Sequence, residues 1–142
     1  MMLGRAFLVW FGFLVLAFVN GAIREAALLP RLGDGPAHAI SSVTLSAAIL
    51  ILSWFTIPWI RPASASNAWR IGALWFTLTL AFEFLAGHYL FGDPWSRLWA
   101  NYNVLEGRMW VLVLMTTLVA PVIAAGRRVV PSPRTPRPSP PA

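Results

Sequence analysis

AFLVWFGFLVLAFVNGAI, residues 6–23, runs for eighteen positions without a charged side chain and is dense in rings and branched residues. Wound as an α-helix, a stretch of that length rises about 27 Å, close to the ~30 Å of a bilayer's hydrocarbon. Lipid offers no partner for backbone N–H and C=O groups, so such a run has to be helical. Arg5 followed by Phe7–Val19 has the outline of a signal segment. Asn20, however, stands where a small-x-small cleavage motif would sit, and helix-forming residues continue to Leu29. The run reads as a retained helix, ended by Pro30 and turned by Gly33-Asp34-Gly35-Pro36.

Three similar runs follow. They predict helices over about 6–28, 38–60, 70–91 and 108–126, with residues 61–70 as a polar loop. Between the third and fourth, Asp93 can cap a short helix opening at Pro94, and Trp95, Leu98, Trp99, Tyr102 and Leu105 recur at helical spacing. That segment is amphipathic and belongs on the bilayer surface. The expected architecture is all-α: a polytopic membrane protein with four transmembrane helices in an up-down bundle over residues 1–126. Residues 127–142 (RRVVPSPRTPRPSPPA) are expected to be a disordered cytoplasmic tail.

Composition agrees. The 142 residues are 58% hydrophobic and 11% charged, where an average soluble domain carries roughly 25% charge. There is no cysteine, which excludes disulfides, thiol catalysis and cysteine-ligated metal. The net charge of +6 is all arginine, set in short segments between apolar runs. That placement fits membrane orientation and anionic headgroups rather than nucleic acid. Arginine without lysine, with many alanines and prolines, points to a bacterial source. Four crossings put Arg5, Arg61, Arg70 and the tail arginines on one side with no acids. Arg24, Arg31, Arg97 and Arg108 lie opposite, matched by Glu25, Asp34, Asp93 and Glu106. Both termini are therefore expected in the cytoplasm of an inner-membrane protein. Trp59, Trp69, Trp95, Trp99 and Trp110 fall near predicted helix ends, where indoles favour the headgroup layer.

Glu83 is the residue whose cost has to be explained. It precedes Phe91 by eight positions, roughly 12 Å below the outer helix end, where a carboxylate must be paired, hydrated or protonated. Thr79, Glu83 and Gly87 share a face, and Gly87 would admit a neighbouring helix. The expected partners are Arg24 or Arg108, whose long stems reach along the helices. Such a pair is either a structural lock or, in the alternative, part of a small transporter or proton-coupled carrier. Asn20, His88, Tyr102, Asn103 and Glu106, with Glu25 and Asn101, lie near the same outer surface and are candidates to line a shallow pocket.

His38 and His88 sit at similar depth without a haem-attachment motif, and read as hydrogen-bonded interfacial histidines. No catalytic spacing, phosphate loop or metal-ligand spacing occurs, so catalytic, cofactor and metal residues are expected to be none. The hydroxyls of Ser42, Ser46, Ser53 and Thr56, with Thr116, Ala120 and Ala124, form small polar faces suited to close helix packing. The leading expectation is a non-enzymatic packing or accessory protein, in contact with lipid and with a second copy or a membrane partner.

Asn20-Gly21-Ala22-Ile23-Arg24-Glu25, Glu83-Phe84-Leu85-Ala86-Gly87-His88-Tyr89 and Tyr102-Asn103-Val104-Leu105-Glu106-Gly107-Arg108 resemble a family of small four-helix bacterial membrane proteins. The resemblance covers most of the chain outside its tail. It implies the membrane fold alone and carries over no catalytic or binding role.

Overall fold

A computed structural model describes residues 1–106 and 108–126, and among these every regular element is helical. Three helices are long and apolar enough to cross a membrane: α1 (Met2–Leu32), α2 (Asp34–Ile60) and α3 (Ala65–Leu90). A short α4 (Trp95–Ala100) and a 3₁₀ turn (Val104–Glu106) lead into α5 (Trp110–Gly126), a shorter apolar helix. The tail expected over 127–142 lies outside the described residues.

Side-chain contacts fix the direction of each helix. Arg5 Nη1 donates to the Trp59 carbonyl at 2.8 Å, and Asn20 Nδ2 to Ser41 Oγ at 2.6 Å, so α1 and α2 run antiparallel. Trp75 Nε1 donates to the Ala6 carbonyl at 2.8 Å and Trp10 Nε1 to Thr79 Oγ1 at 3.1 Å, so α1 and α3 run parallel. Gly72 meets Leu118 while Glu83 meets Trp110, which makes α3 and α5 antiparallel. α5 packs along both α2 and α3, and α1 packs against the same two helices from the other side. Ile57, Ile60, Ile71, Trp75, Ala120 and Ala124 fill the inner half.

The small residues serve these contacts. Ser42, Ser46, Ser53, Thr116, Ala120 and Ala124 are all buried within the single chain. Ser53 and Thr116 donate to carbonyls of their own helices, Ile49 and Leu112, each at 2.7 Å. The faces that the sequence offered for a second copy are thus used internally.

Several boundaries differ from expectation. Pro30 does not end α1. A π-helical stretch, Arg24–Leu28, precedes it with Leu29 N–H bonded to the Arg24 carbonyl. This widening resets the hydrogen-bond ladder just ahead of a residue that has no N–H, and the helix continues to Leu32. Only Gly33 turns the chain, at φ 79°, and Asp34-Gly35-Pro36 become the first turn of α2. The 61–70 loop shrinks to its first four residues: Ser64, in extended conformation, accepts from Asn67 N–H at 3.2 Å and starts α3 at Ala65. Asp93 does not cap α4; its carboxylate accepts from Arg97 at 3.0 Å instead. The amphipathic helix stops at Ala100, and only its Leu98 faces the core.

Gly72 marks the tightest approach of two backbones. A methyl group there would fall well inside contact distance of the Leu118 carbonyl, a group that cannot swing aside. Gly72→Ala is expected to cost about 1–3 kcal/mol, as overpacking does. Gly4→Ala, with open space around its position, should be neutral or slightly stabilising. Thermal unfolding of the two variants in one detergent checks the contrast.

Candidate functional site

Glu83 lies in the first turn of a second π-helical stretch, Phe82–Leu90, in the C-terminal part of α3. Its Oε2 accepts from the Tyr102 hydroxyl at 2.6 Å and from the Trp110 indole N–H. Both donors are neutral, and they come from the α4–α5 connection and the first residue of α5. Oε1 is shut from solvent and has no partner at hydrogen-bonding geometry among the described residues. The Asn101 side chain lies against the same carboxylate.

The expected ion pair with Arg24 or Arg108 is not formed. Arg24 holds Glu25 at 2.9 Å and Arg108 holds Asp34 at 2.6 Å. Glu25 and Asp34 are the exposed members of these pairs, and each holds a largely buried arginine away from Glu83. Reaching Glu83 would require each arginine to give up its pairing. Trp110 is the converse case: the sequence placed it in the headgroup layer, and the structure turns its N–H inward.

Glu83 lines a cavity of about 290 Å³. The cavity arises from how α1 divides its partners. In its inner half α1 is bonded to α3 through Trp75 and Trp10 and to α2 through Arg5, and in its outer half to α2 through Asn20. Above Thr79 the seam between α1 and α3 is carried by rings, with Phe18 at 6.2 Å from Phe82 and 6.3 Å from Phe91. Behind them lies a space graded along its depth. Toward the outer surface its wall includes Asn20, Arg24, His38, Ser41, Glu83 and Asn101. Toward the middle it is Trp10, Phe13, Leu45, Ile49 and Val113, with Thr79 and Thr117 as the polar exceptions.

Of the residues singled out in the sequence, Asn20, Arg24 and Glu83 share this cavity, and Tyr102 is held by Glu83. Thr79, Glu83 and Gly87 do lie on one face of it. Gly87 admits the Leu98 side chain of α4 rather than a membrane-crossing neighbour; a Cβ there would stand 2.8 Å from Leu98 Cδ2. His88, Asn103, Glu106 and Arg108 are not in the cavity wall. The His88 ring nitrogen Nδ1 bonds the Asp93 carbonyl at 2.9 Å, and its ring stacks on Trp95 at 4.0 Å, which docks α4. The Asn103 carbonyl accepts the Glu106 and Arg108 amides at 3.1 and 3.2 Å, and the Glu106 side chain is exposed. Trp110 and the cavity-lining aromatic residues were not foreseen. Their signal was faint, since an inward indole and a lipid-facing one read alike in sequence.

Among the described residues, no three His, Cys, Asp or Glu side chains converge to hold a metal ion. No family model, curated protein or solved structure matches the chain.

If Oε2 is the junction, its two donors should act through it. Tyr102→Phe and Trp110→Phe are each expected to cost about 1–2 kcal/mol, and double-mutant cycles of either with Glu83→Leu, which removes the acceptor, should show coupling, while cycles of Arg24→Gln with Glu83→Leu should show none. Melting curves in detergent read all of these. Burial, and then the adjoining Glu83 carboxylate, push the Tyr102 phenol well above its ordinary 10.0. An unfolded chain would ionise this phenol near pH 10 and the folded one would not. The stability it contributes is therefore intact below that pH and declines as pH rises past it. Melting temperature should fall more steeply above pH 10 in the native protein than in Tyr102→Phe.

Proposed function

We propose that this chain is a four-span protein of a bacterial inner membrane, both termini cytoplasmic, that acts without catalysis by holding a small amphiphile in its outer half. The observation that carries the proposal is the graded cavity. Most of its polar side chains gather where a headgroup would lie, beside Phe18, Phe91 and Leu98, and toward the bilayer middle it is largely apolar, the polarity order of an outer-leaflet amphiphile.

Four crossings are supported by the pairing of α5. Trp110 stands level with Glu83 near the outer end of α3, and Leu118 stands level with Gly72 near its inner end. The remaining turns of α5 pass Ile60 and Ile71 in the inner core, so α5 follows α3 through nearly its whole length. Its 17 residues rise about 26 Å. The contact of Arg5 with Trp59, by both its hydrogen bond and its guanidinium 5.3 Å from the ring, supports a common side for the N-terminus and the α2–α3 loop. The arginine asymmetry supports the cytoplasm as that side. Because the small-residue faces are buried internally, the accessory reading rests on the cavity and not on an exposed packing stripe.

The volume is at the small end of ligand pockets, which run from roughly 300 Å³. Both π-helical stretches contribute to its wall, Arg24 from Arg24–Leu28 and Phe82, Glu83 and Gly87 from Phe82–Leu90, and such distortions recur at functional sites.

Because the chain lacks cysteine, single-cysteine variants report topology directly. In intact cells Ser96→Cys should react with an impermeant maleimide and Ala63→Cys only after permeabilisation; the reverse pattern would overturn the orientation. Gly21 lines the cavity, and a side chain there meets nothing within 4 Å. Gly21→Leu is expected to keep the fold and abolish the thermal shift given by small amphiphiles. Should no neutral, cationic or anionic amphiphile shift the native protein, the proposal fails.

A further inference from the structure

We infer that the cavity selects a cationic amphiphile, a small lipophilic amine whose ammonium group meets Glu83 and whose hydrocarbon part descends among Trp10, Phe13 and Ile49. This rests on the amphiphile reading above and deepens it. The argument begins with charge. Around the cavity's outer rim Arg24 is matched by Glu25, Arg97 by Asp93, and Asp34 by Arg108 with His38 at 3.7 Å. Glu83 alone among the acids of the cavity wall is met by neutral donors only. Ionised, it places an uncompensated negative charge in a low-dielectric wall, where attraction for a cation is far stronger than in water. An anionic or neutral headgroup finds no such excess.

Hydrogen bonding points the same way. Tyr102 and Trp110 occupy Oε2 and leave Oε1 a buried acceptor whose neighbouring donor, the Asn101 amide, stands outside hydrogen-bonding geometry. An alkylammonium supplies both a well-placed donor and the missing charge. To reach Oε1 it would have to displace Asn101, which lies against the carboxylate and also lines the cavity. Below, Trp10, Phe13, Phe82 and Trp110 present π systems that favour a cation over an anion and accommodate an aryl or alkyl tail. A volume of about 290 Å³ limits the guest to a single ring or short chain.

The experiment uses the full chain in lipid nanodiscs and three near-isosteric probes: 2-phenylethylamine, 2-phenylethanol and 3-phenylpropanoate. Binding is read by saturation-transfer NMR against empty nanodiscs, which removes partitioning into lipid. The amine is expected to bind at least about tenfold more tightly than the alcohol, the worth of one charge-assisted hydrogen bond, and the carboxylate not at all. Glu83→Gln should erase the preference while leaving weak binding of both uncharged and charged probes, and Gly21→Leu should remove every signal. If the alcohol binds as well as the amine, is blocked by Gly21→Leu and ignores Glu83→Gln, the cation inference falls while the amphiphile reading stands. Absence of binding by all three probes overturns both. The probe series on the native protein decides the matter even if Glu83→Gln does not fold.

Discussion

Through one oxygen atom, Glu83 Oε2, α3 is tied both to α5 and to the segment that joins them. Other ties between this segment and the long helices are Leu98 in its seat at Gly87, the His88–Asp93 bond, the rings of Trp95, Trp99 and Tyr102 against Phe84 and His88, and the Arg108–Asp34 pair. A carboxylate within an apolar helix costs several kcal/mol, and two neutral donors offset only part of this. The same Glu83 is therefore at once the clamp of the outer half and its most expensive residue. An arginine in place of the phenol and indole would neutralise the charge and complete the clamp. The chain has two arginines close by and engages both elsewhere.

The inner half follows another rule. There Gly72 lets α3 and α5 approach backbone to backbone, and Ile, Ala and Trp side chains close the space. Dispersion and small-residue packing carry this half, as they do for helices in lipid, and its buried Trp75 and Ser53 donors are met by the Ala6 and Ile49 carbonyls. The outer half gives up that density. Beyond the Trp10–Thr79 bond α1 keeps its tie to α2 through Asn20 and Ser41, rings take over the α1–α3 seam, and the cavity opens behind them. A dense inner half with a loose, polar outer half is a division of labour: one half holds the fold and the other can admit a guest.

Much of this was legible in sequence, because lipid forces the reading. Apolar runs near twenty residues must be helices, and all four were located from them, as were the inward faces of Asn20 and Glu83. Helix ends were read less well. Ser64 as a cap lay inside what looked like a polar loop, and Pro30 looked like a stop until a π-helical stretch made room for it. π-Helical geometry has no periodic signature, since it depends on what the helix packs against. The partner of Glu83 was missed for a related reason. Charge complementarity favoured Arg24 and Arg108, whereas the outcome turned on depth: the arginines' heads stay with the exposed Glu25 and Asp34, and Tyr102 and Trp110 reach the level of the carboxylate.

Depth also explains why Glu83 carries the functional argument and the other acids do not. Glu25, Asp34 and Asp93 have water beside them, and an exposed ion pair there contributes little to stability or selectivity. Replacing Glu83 by glutamine in thought leaves an acceptor for Tyr102 and Trp110, keeps the shape and removes the charge. The fold thus has no need of the charge as such. What it needs is an acceptor at that point. A carboxylate held in the interior with one oxygen covered is a standing cost that packing does not require, and the positively charged guest proposed above would offset it.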